Sequence, residues 1–246
     1  MSQEPLTAKD RLILPLDFDD ATQAEDAIRR LGPHVGVLKV GYQLGYSIGW
    51  DRAAGLVHDS GAKLFIDAKL DDISNTVGSG ARALARLRPH MLTVHASAGE
   101  SSVAAAKDAL PDAIVIAITV LTHLSDDASK RIFGASVEEK VPELAAEAMR
   151  GGADAIVCAP TDLAALAKLS ELASLLRVVP GVRPTWAGRD DQQRVATPAD
   201  AIAGGASYLV VGRPITKPPA TIGDSVAAAK AIVDEIASVV GREETT

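Results

Sequence analysis

Eight short runs rich in aliphatic and β-branched residues alternate along the chain with longer Ala-rich stretches of helical period. That alternation implies parallel strands joined by crossover helices. The predicted strands are RLILPLDF (11–18), GVLKVGY (36–42), AKLFIDAKL (62–70), MLTVHA (91–96), AIVIAITVL (113–121), AIVCAP (155–160), RVVPGV (177–182) and YLVVGRP (208–214). Predicted helices lie near 20–31, 49–60, 73–88, 99–109, 137–150, 161–170, 198–204 and 221–240. In the last of these, Ile222, Val226, Ala229, Val233, Ile236 and Val240 recur at helical spacing, giving one apolar face to lay on a sheet. Helix-stop signals agree, with Gly32-Pro33 and Gly151-Gly152 closing helical patterns. Eight units in 246 residues predict an α/β chain folded as a (β/α)8 TIM barrel, a single domain over 1–246 with the barrel proper at about 11–240. A doubly wound open sheet is the competing arrangement. No composition break marks a second domain.

The formal charge of −7 argues against nucleic acid or an anionic membrane as partner, because such surfaces are led by Lys and Arg patches. An anionic ligand must then be held by a local cluster. Cys158 is the only cysteine, so no intrachain disulfide can form. The start MSQEPLTAKDR has no apolar segment of the signal-peptide kind, and no apolar run reaches the length of a membrane span. A cytoplasmic protein is expected.

In an eight-stranded α/β barrel the functional residues sit at the carboxyl ends of the strands, and here those ends are polar. The first strand runs to Asp17, the second carries Lys39, the third Asp67 and Lys69, the fourth His95, the fifth leads into Thr122 and the eighth ends at Arg213. The densest stretch is FIDAKLDDISNT (65–76). Strand alternation puts Phe65, Asp67 and Lys69 on one face and Ile66, Ala68 and Leu70 on the other. If the apolar set meets the helices, Asp67 and Lys69 point into the barrel mouth, where a lone charge would be costly and Lys39 is the natural partner. A structural ion-pair network is the plain alternative for a single D-x-K; charge at several strand ends at once favours a functional site. A second cluster lies at strands seven and eight, where VVPGVRP supplies Gly181 and Arg183 and VVGRPIT supplies Gly212 and Arg213. Glycines let backbone N–H groups approach phosphate oxygens, and arginine pairs with phosphate through two parallel hydrogen bonds. Between them PTWAGRDDQQRVATP (184–198), with Trp186, Gly188 and Gln192, has the length of a lid. The five histidines show no metal-ligand spacing, His95 reads as an oriented hydrogen-bonding residue, and Cys158 as a small core residue.

These motifs together resemble the orotidine 5′-phosphate decarboxylase family. DAKLDDI fits its D-x-K-x-x-D-I signature, and LPLDF, LKVGY, TVHAS, TVLT, VVPGVRP and VGRPIT follow in the family's order from about Leu12 to the final helix. The resemblance implies decarboxylation of orotidine 5′-phosphate to UMP and CO2, the last step of pyrimidine nucleotide synthesis, with no metal and no cofactor. It implies that Lys69 is the proton donor and that Lys39, Asp67 and Lys69 alternate charge with Asp72. The enzyme would be a homodimer in which Asp72 and Thr76 reach into the partner's site, and Ile73 would be a substrate-binding residue. Asp17 would bind the ribose, Thr122 and Gln192 the pyrimidine, and Arg183, Gly212 and Arg213 the 5′-phosphate. Two positions depart from the HDIPNT of many bacterial members: Asp71 replaces the His and Ser74 the Pro. Neither belongs to the charged tetrad, so activity is expected to survive, with the extra carboxylate at Asp71 acting on local pKa values or dimer contacts.

The implied chemistry suits the charges. Loss of CO2 from C6 leaves an electron pair in the ring plane, orthogonal to the π system, so delocalisation into a carbonyl is not available. A fixed ammonium can stabilise that carbanion and then protonate it. Opposite charges about 4 Å apart interact by about 4 kcal/mol at an effective dielectric of 20, and more when water is excluded. The nearest rival is a metal-dependent sugar-phosphate lyase, such as a ketogulonate-phosphate decarboxylase or hexulose-phosphate synthase, which shares D-x-K-x-x-D but has an acidic metal ligand where this chain has Lys39. An ammonium there would repel Mg2+. A non-catalytic phosphate-binding barrel would keep Arg183 and Arg213 but has no reason to keep the tetrad.

Overall fold

The computed structural model describes residues 6–187 and 196–243. Eight strands, β1 (Leu12–Pro15), β2 (Val37–Val40), β3 (Lys63–Leu70), β4 (Met91–His95), β5 (Ile114–Ile118), β6 (Ala155–Val157), β7 (Leu176–Pro180) and β8 (Tyr208–Val210), pair in chain order and close into a barrel. Every pairing is parallel, and β8 returns to β1 through Leu12↔Leu209 and Ile13↔Val210. The (β/α)8 expectation is therefore met, and the open doubly wound sheet is not formed.

Alternation divides each strand between two cores. Ile13, Val37, Phe65, Met91, Ile116, Ala155, Val178 and Tyr208, one from each strand, form the apolar plug inside the barrel. Their neighbours in sequence, such as Leu12, Leu14, Leu38, Ile66 and Leu92, pack outward in a larger cluster with the helices. Two residues further along each strand is the next inward layer. In it stand Pro15, Lys39, Asp67 and Thr93, so polar groups begin one step above an apolar floor.

The helices follow the predicted stretches with three additions. Positions 49–60 hold a helix over Trp50–Asp59, and a further helix, Tyr42–Ile48, precedes it; Gly49, at φ 86°, separates the two. Helices at Asp126–Phe133 and Arg213–Thr216 are too short, at eight and four residues, to stand out as helical repeats in the sequence. The helix Val137–Arg150 begins with a capping box in which Ser136 and Glu139 satisfy each other's backbone N–H groups. The closing helix Ser225–Glu243 buries Ala228, Ala229, Ile232 and Ile236 against the barrel. Among the described residues no helix is long and apolar enough to cross a membrane.

Strand β3 departs from regular geometry where the polar residues begin. Phe65 pairs with Met91 and Ile66 with Leu92, but the next pair is Leu70 with Val94. Asp67, Ala68 and Lys69 thus stand opposite Thr93 alone, and Lys69 adopts a left-handed backbone at φ 47°. Bulges of this kind re-aim side chains next to active sites, and a left-handed non-glycine residue costs about 1–3 kcal/mol.

Candidate active site

The two lysines meet on one oxygen. Lys39 Nζ and Lys69 Nζ each lie 2.7 Å from Asp67 Oδ2. Asp67 is 6% exposed. Burial alone would push its carboxyl pKa up, but the ammonium groups of Lys39 and Lys69 outweigh burial by charge and hydrogen bonding, and hold it below the usual carboxylate range. Its other oxygen, Oδ1, accepts a hydrogen bond from Thr93 Oγ1 at 3.0 Å, so both carboxylate oxygens are engaged.

Asp17 completes this group from the loop after β1. A Cβ placed on Gly41 would lie 3.3 Å from Lys39 Nζ, 3.8 Å from Asp67 Oδ2 and 3.9 Å from Asp17 Oδ1. The three side chains therefore converge on a space that any residue larger than glycine at 41 would begin to fill. Of the residues predicted from sequence, Asp17, Lys39, Asp67 and Lys69 come together as one cluster. The route differs from simple alternation: Lys69 reaches the mouth through the bulge in β3, while Ile66, Ala68 and Leu70 pack toward the helices as expected.

The remaining predicted residues lie around this centre. Asp72 is exposed; its Oδ1 accepts the N–H of Ile73 at 2.7 Å, and it forms no salt bridge among the described residues. Ile73 is 70% exposed, and Thr76 is exposed on the first turn of the helix Ser74–Ala85. Arg183 and Arg213 stand three residues beyond Pro180 and Val210, which are register partners at the ends of β7 and β8. Arg183 is buried and its N–H donates to Ala196 O at 2.9 Å, joining the two stems of the long connection. Gly212 precedes the helix Arg213–Thr216, and a Cβ there would approach Pro15 Cγ to 3.1 Å. Gln192 and Gly188 lie outside the described residues. Thr122 lines a cleft of about 710 Å³ between the ends of β5, β6 and β7 and the helix Val137–Arg150, with Pro160 and Gly181 also on its wall; Asp17, Lys39, Asp67 and Lys69 do not line it.

Three residues that matter for the geometry were not singled out from the sequence. Thr93 bridges Asp67 and the Lys69 backbone; a polar residue two positions above Met91, on the same strand face and between apolar neighbours, was its signal. Tyr42 lays its ring under Lys69, with Nζ 4.6 Å from the ring centroid, and its hydroxyl donates to Ala68 O at 3.2 Å. Gly41 leaves the central space open. The effect of Asp71 also becomes visible. Burial lowers the His95 pKa, and Asp71 is the first charge that opposes this, with Lys69 lowering and Asp67 raising it. Asp71 likewise raises the Tyr42 pKa, after burial, Tyr46 and Asp67. The added carboxylate is thus felt at the mouth.

Among the described residues no group of three or more His, Cys, Asp or Glu side chains is placed to hold a metal ion. The position that the metal-dependent alternative requires to be acidic is Lys39, and its ammonium is locked on Asp67.

A closed eight-stranded barrel with ammonium groups braced on a buried carboxylate at its mouth, and Gly-Arg ends on its last strands, defines an enzyme of the (β/α)8-barrel class that works on a small anionic substrate. Comparison with known proteins makes this more specific. The model of the Orotidine 5′-phosphate decarboxylase / HUMPS family matches residues 10–232, and the chain belongs to that family. Relatives named orotidine 5′-phosphate decarboxylase include one from Methylobacterium sp. (strain 4-46), 44% identical over 238 residues covering 95% of this chain and 98% of the relative. Another, from Rhodopseudomonas palustris (strain ATCC BAA-98 / CGA009), is 42% identical over 98% of this chain and all of the relative. The crystal structure of orotidine 5′-phosphate decarboxylase from Lactobacillus acidophilus superposes with a TM-score of 0.76 at 35% identity, covering 92% of this chain and 98% of that one.

Proposed function

We propose that Lys69 is the proton donor with which this chain converts orotidine 5′-phosphate to UMP and CO2, closing de novo pyrimidine nucleotide synthesis as a carboxy-lyase. The observation that carries the reading is the single oxygen Asp67 Oδ2 shared by Lys39 and Lys69 at 2.7 Å each. An ammonium so braced costs no reorganisation when negative charge develops at C6, which is the condition for electrostatic stabilisation of a transition state. Lys69 is the more exposed of the two lysines, with 29% of its side-chain surface accessible against 13% for Lys39. We therefore assign proton delivery to Lys69 and the orientation of Asp67 to Lys39. As C6 loses CO2, the electron pair of the broken C–C bond takes the proton from Lys69 Nζ, and solvent restores the ammonium.

Substrate contacts follow the same reading. Asp17 binds the ribose, Thr122 and Gln192 the pyrimidine, and Arg183, Gly212 and Arg213 the phosphate, remote from C6, where binding energy can be gathered to support the reaction. No metal or organic cofactor takes part; the ammonium at Lys39 is what supports this, since it stands where a metal would need an acid.

The functional unit is a homodimer of single-domain barrels. Support comes from Asp72, Ile73 and Thr76, which are exposed, with no salt bridge from Asp72 to the lysines among the described residues, and from Tyr42 and Tyr46, 40% and 73% exposed. We place Asp72 and Thr76 at the partner's site, where Asp72 completes the alternation of charge, and count Ile73 among the substrate contacts. Membership of a nucleotide-synthesis family supports a cytoplasmic location.

The test is the loss of ultraviolet absorbance of orotidine 5′-phosphate on adding purified protein, with and without EDTA, beside Lys69→Ala. Rapid EDTA-insensitive conversion that falls by about 10⁴-fold or more in Lys69→Ala is expected, because both charge stabilisation and proton delivery are removed. Full activity in the variant would refute the assignment of Lys69. Absence of conversion by folded parent protein would refute the reaction.

A further inference from the structure

Strand β3 bulges where it presents Asp67 and Lys69 to the mouth, and a bulge leaves backbone groups without ladder partners. The Lys69 N–H is one of these groups. It donates instead to Thr93 Oγ1 at 2.9 Å. The same hydroxyl donates its only proton to Asp67 Oδ1 at 3.0 Å. Thr93 is 1% exposed, so water does not compete for either bond.

We propose that Thr93 is a positioning residue for the decarboxylation: its hydroxyl ties the left-handed backbone of Lys69 to the carboxylate that braces the Lys69 side chain. This rests on the proton-donor reading above. A hydroxyl has one proton and two lone pairs, so the directions of the two bonds are settled together. Because Lys69 N–H fills a lone pair, the proton is directed to Asp67 Oδ1, and Oδ2 is left for the two ammonium groups. The carboxylate is thereby held against rotation, with one oxygen for the scaffold and one for the chemistry. Thr93 also supplies from a neighbouring strand the acceptor that the bulge removes, and so holds Lys69 at φ 47°. Three residues of β3 face this one side chain.

The test compares Thr93→Val, which keeps the shape and removes the hydroxyl, with Thr93→Ser, which keeps the hydroxyl and removes the methyl. Parent protein in the same assay establishes the reaction itself, so a failure of the variants is separable from a failure of the parent reading. Thr93→Val is expected to lower kcat by about 10- to 100-fold, the range that follows from leaving a buried amide and a carboxylate oxygen short of partners. KM should stay within about threefold, because the interactions lost act on the reacting group and the phosphate contacts lie on other strands. Thr93→Ser should remain within about threefold of parent kcat, since its hydroxyl can make both bonds. A folded Thr93→Val with parent kcat would overturn the proposal. A Thr93→Ser as slow as Thr93→Val would also overturn it, since packing of the methyl would then be the cause. If Thr93→Val does not fold, Thr93→Cys replaces it: with the size of serine and only a weak S–H donor, it should be slower than Thr93→Ser by about fivefold or more, and equal kcat values would refute the role.

Discussion

Lys69 gathers more structural devices than any other residue at the barrel mouth. Its backbone is left-handed, its N–H is held by Thr93, its ammonium is braced on Asp67, and the Tyr42 ring lies 4.6 Å from Nζ. The ring is itself held, stacked on Tyr46 at 5.3 Å between centroids, with Tyr46 edge-on to Trp50 at 6.1 Å. A ring face toward an ammonium contributes about 0.5–1 kcal/mol at a partly exposed site. Tyr42→Leu should therefore lower kcat by about two- to fivefold, while Tyr42→Phe, which keeps the face, should stay close to parent. Steady-state kinetics of the two variants check this; equal rates in Leu and Phe would mean that the ring only fills space. At this scale the sequence was legible for the charged residues, because D-x-K at a strand end is visible as a pattern. Thr93 and Tyr42 were not, since a threonine among strand residues and a tyrosine after a strand each have many ordinary uses, and only their distances to Lys69 distinguish them.

Among elements, the junction of β8 with the helix Arg213–Thr216, which carries predicted phosphate contacts, is tightly packed. Gly212 lies there against Pro15 of β1, across the seam where the barrel closes. An added methyl would meet Pro15 Cγ at 3.1 Å and would push Arg213 and its neighbouring N–H groups away from their places. Gly212→Ala is expected to raise KM for orotidine 5′-phosphate by about tenfold, in line with overpacking costs of about 1–3 kcal/mol. An unchanged KM would show that the junction yields and that the phosphate does not depend on it. Strand positions were readable at this scale, since apolar runs bounded by Gly and Pro mark them closely. The helix Tyr42–Ile48 was not, because its first residues continue the apolar run of β2 and only Gly49 separates it from the next helix.

For the whole molecule, acid is the predicted weakness. Burial is the leading cause of depressed pKa values at both His90 and His95. Their folded values lie below the ordinary 6.5, so the unfolded chain binds more protons just below that pH, and stability falls as pH drops. Asp67 adds a second loss, present in full above its ordinary 3.8 and removed as pH falls through its lowered folded value. Urea midpoints should decline from pH 7 to pH 5 and again toward pH 3, with a slope of up to about 1.4 kcal/mol per pH unit for each extra proton bound. Midpoints constant from pH 7 to pH 5 would contradict the histidine contribution. The proposed dimer is testable by mixing. Lys69→Ala and Asp72→Ala should each be inactive alone, and co-refolded together they should recover up to about a quarter of parent activity, because half the dimers are mixed and each mixed dimer has one intact site. No recovery would mean that Asp72 serves its own chain. The sequence by itself determined the barrel, since eight apolar runs separated by helical periods leave few other ways to bury both faces of every strand. It also determined which strand ends carry charge. Only the tertiary structure decided that Asp67, Ala68 and Lys69 bulge against Thr93, that two lysines share one oxygen, and that Asp72 is exposed, its carboxylate on the Ile73 N–H. Those outcomes depend on register between strands and on distances across the mouth, and neither is encoded in the spacing of residues along one strand.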